Sequence, residues 1–297
     1  MQYLATGKYG SAFAGNLHDI HGENIIVLAH LLVYLVTGSI AGYLAGLFGV
    51  GGGIIIVPVL VIVFKATGIS PTVIMPLAIG TSMAVVSVTS LLGARAHHSN
   101  ANVDWSKAKF LLPVVLIGVV AGALLGSYIS RNILVWCVIA FELSVATMFL
   151  AQALRSQGHV EGATPKKMLS NAPMLAISGV LGIVSSIVGI AGGTLFVPFL
   201  GFCGVGMRKA IGTATALGAP LSLVASVVYM LTGLFSHKHL PSLSLGFIYL
   251  PAFFGCIAGG IWTTRHGAFL GLKLNLRWLK LAFAFILLGA AGKMLFL

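Results

Sequence analysis

Apolar residues fill this chain in long stretches separated by short polar connections, and the stretches set the expected elements. They place spans near 27–48, 53–65, 74–96, 109–129 and 132–154, then near 173–189, 193–203, 209–233, 245–264 and 276–296. Several approach the ~20 residues that carry an α-helix across a ~30 Å hydrocarbon core. The pattern predicts an all-α polytopic transmembrane bundle. An N-terminal extramembrane segment covers 1–26, a first repeat 27–154, a basic cytoplasmic linker 155–172 and a second repeat 173–297. The stretches at 53–65 and 193–203 are short and read as half-helices, re-entrant segments or short tilted spans.

Each short stretch follows a glycine run. The first run reads Leu47-Phe48-Gly49-Val50-Gly51-Gly52-Gly53-Ile54-Ile55-Ile56-Val57-Pro58, and the second Ile187-Val188-Gly189-Ile190-Ala191-Gly192-Gly193-Thr194-Leu195-Phe196-Val197-Pro198. Gly49, Gly52, Gly53, Val57 and Pro58 recur as Gly189, Gly192, Gly193, Val197 and Pro198, at an offset of 140. Each glycine costs about 1 kcal/mol in a helix interior, so both runs predict a break. A break at membrane depth is tolerated where protein or a water-filled cavity satisfies the freed backbone. Two more signatures repeat in the same order. Ala78-Ile79-Gly80-Thr81 matches Ala210-Ile211-Gly212-Thr213 at an offset of 132. Leu112-Pro113 matches Leu250-Pro251, and Ala121-Gly122 sits opposite Gly259-Gly260, at 138. Three ordered matches point to a duplicated transporter.

Composition turns the membrane reading into a firm one. The chain is 58% hydrophobic and 7% charged over 297 residues, with mean hydropathy +1.06. A soluble protein carries about 25% charged residues, enough to cover its surface. The net charge of +12 belongs to membrane-flanking loops and their anionic lipid partners, since no soluble basic domain is present to bind nucleic acid. If each break separates two elements, the basic residues divide 12 against 5 between the two sides; if each broken segment is one crossing, they divide 9 against 8. The positive-inside rule favours the first arrangement, with inverted halves and both termini outside the cytoplasm. Cys137, Cys203 and Cys256 accompany no CxxC motif and read as packing residues, so no metal site and no cofactor is expected. No cleaved signal peptide is expected from the first 24 residues.

At these glycine runs, with their Val-Pro and Ala-x-Gly-Thr companions, the chain resembles the TauE/SafE family of membrane permeases over roughly residues 27–296. The resemblance implies a small anionic substrate such as sulfite, sulfoacetate or a related organosulfur or carboxylate compound. It also implies outward transport across the bacterial cytoplasmic (inner) membrane. The second run departs from the first by placing Ala191 where the first has Gly51.

The residues agree with an anion. A helix that starts after a break presents N–H groups without partners at its positive dipole end. Backbone at Gly49, Gly51, Gly52, Gly53 and Ile54, and at Gly189, Gly192, Gly193 and Thr194, can cradle a sulfonate or carboxylate; packing glycines are the plainer alternative. Thr81, Ser82, Thr213 and Thr215 form a repeated hydroxyl set, or they bond their own helices. Glu142 is the carboxylate placed deep in a span. It is expected to be protonated, paired or facing water, and is a candidate for proton coupling. Arg95, Arg208 and Lys209 flank helices on the assigned cytoplasmic side, as an anion vestibule or as topology anchors. A passive anion channel or uniporter fits the same pattern. A metal-cation transporter or an intramembrane enzyme lacks its ligand or catalytic set. No Walker motif suggests ATP drive. Membrane lipids are expected partners, and a homo-oligomer is compatible with the sequence.

Overall fold

A computed structural model describes residues 28–46, 52–155, 170–270 and 276–295. The apolar stretches are helical, as they must be where no water is available to satisfy the backbone. The order is α1 (Leu28–Gly46), α2 (Gly53–Ala66), α3 (Pro71–Ser99), α4 (Trp105–Tyr128), α5 (Arg131–Arg155), α6 (Asn171–Val188), α7 (Gly193–Phe202), α8 (Met207–Leu234), β1 (Ser244–Leu245), β2 (Ile248–Tyr249), α9 (Leu250–Leu270) and α10 (Leu276–Leu295). Six described helices are long and apolar enough to cross a bilayer: α1, α3, α4, α5, α6 and α8. Large apolar side chains face outward, among them Ile117, Trp136, Phe254 and Trp262. A surface of this kind suits lipid. The chain is a multi-pass, all-α membrane protein.

The two short elements are partial crossings. At 1.5 Å per residue, the 14 residues of α2 reach about 21 Å and the 10 of α7 about 15 Å, short of the hydrocarbon thickness. Both end in the same way. Gly68 (φ 74°) and Gly204 (φ 80°) take the left-handed conformation that ends a helix. Ile69 N–H then reaches the Phe64 carbonyl at 3.0 Å and Val205 N–H reaches that of Leu200 at 3.0 Å. This closing bond is the Schellman pattern. The long helices α3 and α8 start immediately afterwards.

One expected boundary moves. The span foreseen at 245–264 begins instead at Leu250, because the residues before it form an antiparallel hairpin pairing Ser244 with Tyr249 and Leu245 with Ile248. Gly246 makes the turn at φ 58°. Apolar composition could not reveal this, since a short buried hairpin and a helix start are equally hydrophobic.

The core is the pairing of α3 with α8. Gly80 meets Tyr229, Ser90 lies beside Gly218 and Gly93 meets Thr215, so the two helices run antiparallel. They carry the repeated Ala-x-Gly-Thr signature, so helices related by the sequence repeat run in opposite directions at the centre. The flanking pairs join one half to the other. Gly38 packs on Cys256 and Gly42 on Gly260, which sets α1 parallel to α9; Gly118 packs on Gly179 and Gly122 on Ile183, which sets α4 parallel to α6. Small residues permit this close approach of backbones. Helix α5 pairs mainly with α10 outside this core.

Candidate functional site

The two breaks meet. A methyl group added to Gly53, the first residue of α2, would lie 2.6 Å from the Gly189 carbonyl oxygen and 3.2 Å from Ser82 Oγ. Gly189, at φ 81°, faces the side chains of Val57 and Ile79 just as closely. Only a residue without Cβ allows this crossing of backbones. Gly52, at φ 71° and packed on the Ala41 carbonyl, turns the chain into α2. Gly49 and Gly51 lie outside the described residues.

At the second break the N–H groups of Gly189 and Ile190 donate to the Ser185 carbonyl at 3.1 and 3.0 Å. Ser82 Oγ donates to the Gly189 carbonyl at 3.0 Å, from 107 residues away in the chain. Ser185 Oγ donates to the Ile190 carbonyl, and Gly192 O accepts from Leu195 N–H at 3.1 Å and from Phe196 N–H. The carbonyls are therefore engaged. The N–H groups of Gly193 and Thr194, at the start of α7, have no hydrogen-bond acceptor among the described residues. Ile190, Ala191 and Thr194 are all buried. What remains unengaged is the electropositive half of the backbone at a helix N-terminus, which favours an anion. Thr194 Oγ1 reaches the Ala191 carbonyl only at 3.5 Å, a long bond that a better acceptor could replace.

The repeated threonines serve a different contact. Thr81 Oγ1 donates to Leu77 O at 2.6 Å and accepts from Tyr249 N–H at 2.9 Å. Thr213 Oγ1 accepts from Asp104 N–H at 2.9 Å. The neighbouring Gly80 is pressed against the Phe247 carbonyl and Gly212 against that of Asn102. Tyr249 immediately precedes α9 and Asp104 immediately precedes α4. Each Gly-Thr pair thus clamps the segment leading into the fourth helix of the other half. Thr215 Oγ1 donates to Ile211 O of its own helix at 2.8 Å, and its methyl faces Gly93. Of the four hydroxyls read from the sequence, Ser82 is the one at the paired breaks.

Glu142 lies apart, on α5, between the buried side chains of Val138, Ile139, Val145 and Ala146. It is fully buried, and neither carboxyl oxygen has a hydrogen-bond partner among the described residues. A charged carboxylate held this way would cost several kcal/mol. Arg95, Arg208 and Lys209 are exposed and share one end of the bundle. The Asn100 turn follows α3, and Asn102 and Asp104 dock on Gly212 and Thr213 of α8. Lys107, 3.8 Å from Asp104, joins them. Arg208 and Lys209 occupy the first turn of α8, where cations oppose the helix dipole. Among the described residues, no three His, Cys, Asp or Glu side chains gather as metal ligands.

Sequence reasoning missed Ser185, whose role depends on the fold of the break, and Tyr229. The Tyr229 hydroxyl donates to the Ser186 carbonyl at 3.1 Å and sits against Gly126, tying α8 to α4 and α6.

Comparison with known proteins agrees with the architecture. The family profile described as "Sulfite exporter TauE/SafE" matches residues 34–296. A probable membrane transporter protein of Haemophilus influenzae is 34% identical over 265 residues, 89% of this chain and 97% of the relative. One from Methanocaldococcus jannaschii is 23% identical over 259 residues, covering 86% and 92%. The probable membrane transporter protein YunE of Bacillus subtilis is 28% identical over 219 residues, covering 68% and 79%. No solved structure matches.

Proposed function

The chain belongs to the TauE/SafE sulfite exporter family, and from that premise we propose that it is a secondary transporter moving small organosulfur anions such as sulfite or sulfoacetate out of the cell. The observation that carries this reading is the meeting of the two breaks at Gly53 and Gly189. There the carbonyls are engaged by Ser82 and Ser185 and the N–H groups at the start of α7 are unengaged. An oxyanion is held at such a place by backbone amides, with no cationic side chain needed at membrane depth.

The transport cycle follows from the antiparallel core. The opposite directions of α3 and α8, which carry the repeated signature, support reading the two halves as inverted copies. Rocking of one against the other exposes the breaks to each face in turn. Arg95, Arg208 and Lys209 at one end collect anions on the cytoplasmic side, the side that the excess of basic residues assigns. Both termini then lie outside the cytoplasm, and the membrane is the bacterial cytoplasmic one. Glu142, buried and without a hydrogen-bond partner among the described residues, carries the proton that couples transport to a pH gradient.

The test is uptake of radiolabelled sulfite by the purified protein in liposomes, with and without an imposed pH gradient, in competition with sulfoacetate, sulfate and acetate. Saturable uptake inhibited by sulfoacetate is expected. Absence of anion transport by correctly inserted protein would overturn the reading.

A further inference from the structure

Among the sixteen buried polar or charged residues, fourteen make a hydrogen bond. Among the described residues, Glu142 and Ser90 make none; both Glu142 carboxyl oxygens are fully enclosed, whereas Ser90 Oγ is not. Ser90 is only 2% exposed, and a buried hydroxyl normally finds a partner, most simply the carbonyl four residues back along its own helix. Its repeat mate at the offset of 132, Ser222, does this: Ser222 Oγ donates to Gly218 O at 2.6 Å. The same residue type in the corresponding place is satisfied in one half and left open in the other.

The place it is left open is specific. Across the helix crossing from Ser90 lies Gly218, and a methyl group built there would sit 3.4 Å from Ser90 Oγ and 3.6 Å from Ala191 Cβ. Both are ordinary van der Waals distances. Gly218 therefore leaves a methyl-sized space bounded on one side by an unpartnered hydroxyl and on the other by the second break, two residues before the start of α7. This differs from the other close crossings, where Gly53, Gly80, Gly118 and Gly212 face backbone oxygens too near to admit a Cβ.

The geometry points to Ser90 as a hydrogen-bond donor to the transported oxyanion, with Gly218 kept small so that one oxygen of the anion fits between Ser90 and the second break. The inference rests on the reading that the breaks hold an anion, and it adds a side-chain donor to the backbone amides of Gly193 and Thr194. An oxyanion of sulfite or sulfonate type has several acceptor oxygens, so it can bond the amides and the hydroxyl together. A hydroxyl kept for the substrate also explains why Ser90 does not bond its own helix.

The test uses the full chain in liposomes with radiolabelled sulfite, comparing wild type with Ser90→Ala, Gly218→Ala and Ser222→Ala, together with thermal unfolding of each in detergent. Ser90→Ala removes a group with no partner, so its melting temperature should be unchanged or raised. Its half-saturation for sulfite should rise about tenfold, the loss expected for one hydrogen bond to a charged group. Gly218→Ala should fold normally and lose sulfite transport, because its methyl fills the space. Ser222→Ala should keep the wild-type half-saturation. Wild-type half-saturation in both Ser90→Ala and Gly218→Ala overturns the assignment while leaving the anion-transport reading standing. A fall in melting temperature of Ser90→Ala matching its transport loss overturns it in favour of a structural role. If wild type transports no oxyanion, both readings fall together.

Discussion

Ser82 Oγ donates to the carbonyl of Gly189 at 3.0 Å, so a side chain of the first half satisfies the broken backbone of the second. Gly53 lies against both groups. The relationship joins the start of α2, the middle of α3 and the end of α6 at one point. Ser82→Ala should leave a buried carbonyl short of a donor, at a cost of about 1–3 kcal/mol. Thermal unfolding in detergent should show the loss, and sulfite transport per folded molecule should fall with it.

Gly53→Ala places a methyl 2.6 Å from the Gly189 oxygen. Relieving that clash must separate the two breaks, so a destabilisation of about 1–3 kcal/mol and loss of transport are expected. Gly201→Ala is the matched control, because a Cβ there meets nothing within 4 Å. It should stabilise α7 by up to about 1 kcal/mol and leave transport unchanged. Equal behaviour of the two variants would show that the contact at Gly53 does not matter.

Thr81→Val and Thr213→Val keep side-chain volume but deprive Tyr249 N–H and Asp104 N–H of their acceptors. Each should cost about 1–3 kcal/mol. The damage should localise to different ends: amide exchange should quicken in the hairpin before α9 for Thr81→Val, and in the segment before α4 for Thr213→Val. Unchanged exchange at both sites would dissolve the clamp.

Glu142→Gln preserves shape in a site where neither carboxyl oxygen has a partner among the described residues. The protein should fold as wild type, and anion flux should lose its response to an imposed pH gradient. Flux that still follows the gradient would remove Glu142 from proton coupling.

Arg208→Gln with Lys209→Gln should also relieve the unfavourable charge at the N-terminus of α8, so stability should hold or improve. Anion capture from the cytoplasmic face should weaken by up to about tenfold at low ionic strength, with the difference closing as salt is raised. A salt-independent effect would point to a packing role instead.

Much of this architecture was legible in the chain. Ten apolar stretches, two glycine runs at an offset of 140 and the Gly-Thr match at 132 announce a duplicated helical membrane protein with broken elements. Hydrophobicity and glycine act through local backbone physics, which a sequence carries directly. The Ser90 and Ser222 match at the same offset was equally readable, but a serine among apolar residues carries no distinguishing signal until its partners are known.

Other features depended on contacts between distant parts of the chain. The Gly-Thr pairs looked like substrate donors, yet the fold spends them on the segments before α4 and α9. The hairpin at Ser244–Leu245 and Ile248–Tyr249 was hidden inside an apolar window. By itself the sequence determined that this chain lives in a membrane and that a short helix starts after each glycine run, because those properties follow from composition and local propensity. Only the tertiary structure decided which hydroxyls are consumed and which stays open, because hydrogen bonding at a break is completed by residues about a hundred positions away.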